Sequence, residues 1–226
     1  VQIFCNNSIY DVISILVDYY LQLGDTMSAK IGLFYGSTTG KTDAIAELIR
    51  NEFGKSLIDL HCMAEASEQD FADYDYLIIG SPTWGIGKLQ HDWEVFFPRL
   101  DYINFKGKKV AYFGLGDQVE YPYNFVDAMG ILAAKITSLG GIRVGSWSTE
   151  GYYFEESKAL ISFKPVELSN GFIALVESQV THVSNGVRAS IQGDFVGLAI
   201  DEDNQPELSI ERIRIWVAQV KERFEM

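Results

Sequence analysis

Residues 30–53, KIGLFYGSTTGKTDAIAELIRNEF, decide the fold. IGLFY is a short apolar run with no polar alternation, the pattern of a strand buried on both faces. Ser37, Thr38, Thr39 and Gly40 end it. Residues 42–53 then set Ala44, Ile45, Leu48 and Ile49 on one side at helical spacing, which predicts an amphipathic helix. A buried strand running straight into a helix is half of a βαβ unit, and the chain repeats it. SLIDL (56–60) is a second short strand, and YDYLIIG (74–80) is a third, almost continuously apolar. Residues 89–100 read as a helix whose last turn is limited by Pro98. KKVAYFGLG (108–116) is again a buried strand, and residues 125–139 form a helix closed by Gly140 and Gly141. IRVGSWS (142–148) and FVGLAI (195–200) are further strands, and residues 210–224 are a final amphipathic helix. Such alternation predicts an α/β fold, a parallel sheet with helices on both faces.

The alternation breaks between Tyr152 and Asp194. YYFEESKA is polar and loop-like. Residues 161–192 carry β-branched residues and two Asn-Gly pairs, at 170–171 and 185–186. Asn-Gly is a strong hairpin signal, so FIALVESQVTHV is expected to supply one or two strands of a small subdomain.

The chain has 226 residues, 47% hydrophobic and 22% charged, enough to bury a sizeable core. Its 31 acidic against 18 basic residues give a net charge of −13, which argues against nucleic acid as a partner. Cys5 and Cys62 form neither a disulfide scaffold nor a CxxC pair nor a metal cluster, His61 and His182 have no recognisable metal partners, and His91 reads as a polar helix residue. No apolar run is long enough for a membrane span. Residues 1–26 hold no Lys or Arg, unlike a secretory signal or a transit peptide. They read either as an amphipathic docking helix, with Ile9, Val12, Ile13, Leu16 and Val17 at helical spacing, or as sequence upstream of a chain start at Met27.

Three loops carry the chemistry, each after a buried strand, where open α/β sheets bind ligands. The first is Ser37, Thr38, Thr39, Gly40, Lys41 and Thr42. Hydroxyls and backbone N–H groups at a helix N-terminus make an anion site, with plain helix capping as the competing reading. It matches neither GxxxxGK[ST] nor GxGxxG. The second is Ser81, Pro82, Thr83, Trp84, Gly85, Ile86 and Gly87, where a Trp among glycines is placed to stack on a flat ring. The third is Gly114, Leu115, Gly116, Asp117 and Gln118, followed by Tyr121. Two aromatics on separate loops beside a phosphate nest describe a slot for a planar phosphorylated ligand.

At these residues the chain resembles the long-chain flavodoxin family. The matching stretches are IGLFYGSTTGKT (31–42), IIGSPTWGIGKLQHDWE (78–94), GKKVAYFGLGDQ with Tyr121 and Asn124-Phe125 (107–125), GYYFEESKAL (151–160) and GDFVGLAIDEDNQPELSIERIRIWVAQVK (193–221). The resemblance implies a three-layer, doubly wound, five-stranded parallel sheet of order 2-1-3-4-5. It implies non-covalent FMN, with Ser37, Thr38, Thr39, Gly40 and Thr42 at the phosphate, Thr83 on the ribityl side, and Trp84 and Tyr121 around the isoalloxazine. Asp117 and Gln118 would stand at the pyrimidine edge, and the peptide between Gly85 and Ile86 would turn toward the reduced ring. The implied function is a low-potential one-electron carrier cycling between semiquinone and hydroquinone, not an enzyme. Its implied donors are photosystem I or pyruvate oxidoreductases, and its acceptors ferredoxin-NADP reductase or nitrogenase. Asp70, Asp73, Asp92, Glu94, Glu120, Glu155 and Glu156 are candidates to steer a basic partner. A monomer in the cytoplasm, or in the stroma of a plastid-bearing alga, is expected. The alternative is an FMN-dependent NAD(P)H:quinone reductase, which the covering pair Trp84 and Tyr121 argues against.

The chain departs from the family pattern in three places. Tyr123 stands where the family commonly has Asp, and Lys88 where an acid is common. An insertion of about residues 161–192 lies within the long-chain loop, so residues 27–226 are expected to form one FMN-binding domain interrupted there, preceded by an extension over 1–26.

Overall fold

The computed structural model describes residues 31–167, 173–179 and 193–226, so the 1–26 extension and the Asn-Gly pairs at 170–171 and 185–186 lie outside the described residues. The first half of the chain runs β1 (Ile31–Tyr35), α1 (Lys41–Phe53), β2 (Ile58–Cys62), β3 (Tyr76–Pro82), α2 (His91–Phe96) and β4 (Lys109–Leu115). Next come α3 (Asp127–Ser138), β5 (Ile142–Arg143), β6 (Trp147–Ser148), β7 (Leu160–Glu167) and β8 (Ile173–Gln179). The chain closes with β9 (Asp194–Phe195), β10 (Leu198–Ile200) and α4 (Pro206–Phe224).

In the central sheet, β1 pairs in parallel with β2 on one side and β3 on the other, and β4 follows β3. The fifth position is filled by two pieces. β5 pairs with the start of β4, at Lys109 and Val110, and β10 pairs with its end, from Phe113 to Leu115. The order is therefore 2-1-3-4-5, as the sequence reading expects, with the last strand split.

Residue parity divides the core into two layers. Ile31, Leu33, Ile78, Ala111, Phe113, Leu198 and Ile200 pack against α1 and α4 through Ile45, Ile49, Phe53, Trp216, Val220 and Phe224. Phe34, Leu77, Ile79, Val110 and Tyr112 pack the other way, against Trp93 and Phe96 of α2 and Met129, Leu132 and Ile136 of α3. Burial on both faces is why these strands read as continuous apolar runs.

The structure corrects several local readings. On α1 the buried apolar positions are Ile45, Ala46, Ile49 and Phe53, while Ala44 and Leu48 are exposed. The helix expected over 89–100 is α2 alone, with residues 97–102 tightened into a 3₁₀ turn around Pro98. The final helix starts earlier, with Pro206 in its first turn, where its missing N–H is harmless. IRVGSWS and FVGLAI are each two strands belonging to different sheets. Gly145, at φ +74°, turns the chain between β5 and β6, and its carbonyl accepts from Trp216 Nε1 at 2.7 Å. Gly197, between β9 and β10, lies so close to β4 that a Cβ would fall 2.1 Å from the Tyr112 carbonyl oxygen.

The pieces that leave the central sheet build a second, antiparallel sheet of order β6-β9-β7-β8. β7 and β8 pair from Ile161↔Gln179 to Glu167↔Ile173, on either side of the Asn-Gly pair at 170–171. The inserted residues thus extend a sheet that already starts from the split fifth strand. Among the described residues no helix is long and apolar enough to cross a membrane.

Candidate functional site

The carboxyl ends of β1, β3, β4 and β10 bring their loops to one edge of the central sheet. After β1, Gly40 takes φ +84° at the entry to α1, with open space where a Cβ would stand. Ser37 Oγ accepts from the amides of Gly40 at 3.2 Å and Asp43 at 3.4 Å, so this hydroxyl caps the helix. Thr38 Oγ1 accepts from Gln90 Nε2 at 3.2 Å. The amides of Thr38, Thr39, Lys41 and Thr42 find no acceptor among the described residues. A helix N-terminus with free donors carries partial positive charge and suits an anion.

After β3, the chain forms a short hairpin. Trp84 and Lys88 exchange two backbone bonds, of 2.9 and 2.8 Å, and Gly85 and Gly87 between them both have positive φ. Trp84 is 41% exposed and Ile86, at the tip, 80%. Thr83 supports the hairpin from behind: its Oγ1 accepts from the Ala128 amide of α3 at 3.1 Å.

After β4, Asp117 folds its loop around its own carboxylate. Oδ1 accepts from the amides of Val119 and Glu120, both at 2.9 Å, and from Asn204 Nδ2 at 2.8 Å. Partial burial pushes this carboxyl up, but those donors outweigh it and hold it below the usual carboxylate range. Tyr121, half exposed, follows on the same loop.

These three loops enclose a cleft of about 340 Å³. Its walls are Thr39, Lys41 and Thr42 from the first loop, Pro82, Thr83, Trp84 and Gly85 from the second, and Leu115, Gly116, Asp117 and Tyr121 from the third. Ser37, Thr38 and Gly40 shape the first loop from outside that lining. Ser81 is buried in β3, and Gly114 allows β4 to meet α3, where a Cβ would lie 2.8 Å from Met129 Cβ. Asn124 sits under the hairpin, against Gly87 of the hairpin itself, and Ile86 is its exposed tip; none of the three lines the cleft. Gln118 is turned inward. Its amide N–H and Nε2 both donate to Asp201 Oδ2, and its Oε1 accepts from the Tyr153 amide at 2.6 Å.

Sequence reasoning passed over the fourth wall. Glu202 and Asp203, from the turn after β10, line the cleft, and Asp203 pairs with Lys41 at 2.5 Å with both side chains half exposed. The signal was present as DEDNQ directly after a buried strand ending at the same sheet edge. Gln90 was missed too. It caps α2, its Oε1 accepting from the amides of Asp92 and Trp93 at 3.1 and 3.3 Å, while Nε2 steadies Thr38. Gln90→Leu is expected to cost about 1–2 kcal/mol in urea unfolding, since it removes a cap inside a buried site.

A second cavity, about 380 Å³, is lined by Glu68, Gln69, Tyr102, Asn104 and Lys108 among others and includes none of the candidate residues. The Lys108 ammonium there is already taken by the carbonyls of Tyr74 and Ala72. Among the described residues no group of three or more His, Cys, Asp or Glu is placed to hold a metal ion.

A family model described as Flavodoxin matches residues 33–216. The chain belongs to the flavodoxin family. Its split-strand sheet has the order that flavodoxin itself exemplifies among doubly wound folds. It is 50% identical to a flavodoxin of Nostoc sp. over 198 residues, 88% of this chain and 99% of the relative. It is 41% identical to flavodoxin 1 of Escherichia coli over 195 residues, 86% of this chain and 94% of that one. A solved flavodoxin of Fusobacterium nucleatum, bound to flavin mononucleotide, superposes with a TM-score of 0.67 at 27% identity, covering 86% of this chain and 98% of that one.

Proposed function

We propose that this flavodoxin-family chain is a low-potential one-electron carrier that holds FMN non-covalently in the cleft at the sheet edge. One observation carries the reading: free helix-entry amides and two half-exposed aromatics stand on the walls of the same cleft. The donor set fits the group. Neutral N–H and hydroxyl donors of Thr39 and Thr42 suit a phosphate, and Trp84 and Tyr121 suit a flat ring.

Bound FMN supplies a ring that takes up and returns electrons one at a time. Thr39, Thr42 and the amides around them hold its phosphate and so anchor the ligand by its tail. Trp84 and Tyr121 cover the ring and exclude water. Asp117 and Glu202 put negative charge on the cleft wall, while Asp203 is paired with Lys41; that charge would disfavour adding an electron to the ring and keep the potential low. Gly85 leaves its peptide bond free to turn, since no Cβ opposes rotation, so either its carbonyl or the next N–H can face the ring. The protein itself needs no acid, base or nucleophile. Photosystem I, a pyruvate or nitrogenase-type oxidoreductase and ferredoxin-NADP reductase are the proposed partners, met by a monomer in the cytoplasm or stroma.

The test is FMN titration followed by quenching of flavin fluorescence, then anaerobic reduction of the complex. Uptake of electrons in two separate one-electron stages is expected. Reduction of quinones by NAD(P)H with this protein alone would overturn the carrier in favour of the reductase. Trp84→Ala is expected to weaken FMN binding roughly tenfold by removing one stacking face. Because Trp84 is half exposed, the melting temperature should hardly move.

A further inference from the structure

Beneath the 84–88 hairpin lies a carboxylate almost without solvent contact. Asp127, 1% exposed, opens α3. Its Oδ1 accepts from the Lys158 amide at 2.7 Å, and its Oδ2 faces Lys158 Nζ at 3.0 Å and accepts from Asn124 Nδ2 at 3.2 Å. Lys158 reaches it from the stretch leading into β7, its side chain half exposed. Gly87 rests directly on this group. A Cβ at Gly87 would stand 2.4 Å from Asp127 Oδ2, 2.9 Å from Asn124 Nδ2 and 3.2 Å from Lys158 Nζ. The hairpin, the first turn of α3 and the chain before β7 therefore meet at one buried charge.

A carboxylate taken out of water keeps its charge only while it is paired and hydrogen-bonded, and removing one partner strands the other. Here the partner that neutralises it comes from a different segment, so pairing ties that segment to α3. The hairpin has few ties of its own, two backbone bonds between Trp84 and Lys88, and its tip is in solvent. Its floor is the ion pair. We infer that Asp127 and Lys158 act as one positioning unit for the 84–88 hairpin, holding Gly87 at a fixed height and thereby slowing ligand release from the cleft. The positioning half stands on the geometry alone; the half concerning release rests on the proposed FMN site.

Two rates test it. The first is amide exchange at Lys88, whose N–H donates to the Trp84 carbonyl, measured in the ligand-free protein by NMR with Ile78 and Ala111 of the central strands as controls. The second is FMN dissociation by stopped flow. Lys158→Met leaves the Asp127 charge buried and unpaired. It is expected to speed both rates about tenfold while the control amides stay protected. Asp127→Asn is expected to speed them about threefold, because the stranded Lys158 can reach water. The double variant should be no faster than the worse single one, since the two residues work as a unit. Unchanged Lys88 exchange in both single variants, or single effects that multiply in the double, would overturn the inference. If Lys158→Met loses protection throughout the strands, Asp127→Asn decides alone, and Lys88 exchange at the parent rate overturns it. Parent protein that binds no FMN sinks the proposed function, and with it the claim about release, while the exchange arm still decides the positioning claim.

Discussion

A protein carrying Thr39→Asp should fold as well as the parent and lose about two orders of magnitude in FMN affinity. Thr39 is exposed, lines the cleft and lies beside the entry to α1. An acidic side chain at a helix N-terminus is favourable, worth about 0.3–1 kcal/mol, so the melting temperature should hold or rise slightly. The same carboxylate competes for the free amides and meets the phosphate as a like charge. At about 5 Å and an effective dielectric near 20, one such charge pair costs roughly 3 kcal/mol, which is the hundredfold loss. Riboflavin lacks the phosphate and should bind the variant as well as it binds the parent. Paired fluorescence titrations with FMN and riboflavin, beside a thermal melt, read all three quantities. Equal losses for both ligands would mean that the loop serves the ring and not the phosphate. Undiminished FMN binding would remove the phosphate from this loop altogether.

Much of this was legible because the signals are local. β1, β3 and β4 sit between two helix layers, so each announces itself as an unbroken apolar run, and the loops following them must gather at one edge. Trp84 and Tyr121 are legible for a related reason: a large ring in a Gly-rich loop has no core to enter. What escaped the sequence is decided by partners far along the chain. IRVGSWS and FVGLAI have the composition of single strands, and nothing within them says that Gly145 meets Trp216 or that Gly197 passes the Tyr112 carbonyl. Gln90 is not among the usual helix caps, and it serves as one because Trp93 and the first loop close over it. Gln118 reads as a polar loop residue free to meet a ligand, yet it is almost fully buried, its amide and side chain both spent on Asp201. In the acidic string after β10, Asp201, Glu202 and Asp203 look alike. The first has no solvent contact, the third is exposed, and only the fold separates them.

Asp201→Ala is the substitution outside the central core expected to destabilise the protein most, by about 4 kcal/mol. The Asp201 carboxylate is fully buried and is held by N–H donors from two loops. Oδ2 accepts from the Gln118 amide at 3.2 Å and from Gln118 Nε2 at 2.8 Å; Oδ1 accepts from the amides of Asp203 and Asn204 at 3.1 and 3.0 Å. Asn204 Nδ2 adds a contact to the same group while also bonding Asp117. Alanine would leave the donors of Gln118 buried without an acceptor, at about 1–3 kcal/mol each, and would add a small void. With an m-value of about 2 kcal/mol per molar, the urea midpoint should fall by roughly 2 M. Asp201→Asn keeps the volume but turns one acceptor into a donor that faces other donors, so it should cost about half as much. Ligand binding should suffer too, because Asn204, tied to Asp201, also holds the Asp117 loop over the cleft. Chemical unfolding of both variants, with FMN titration of each folded form, checks the ranking. A cost below about 1 kcal/mol for alanine would mean that water replaces the carboxylate without loss. The two loops would then keep their places by their other contacts, and the network around Asp201 would not be what closes the fourth wall of the site.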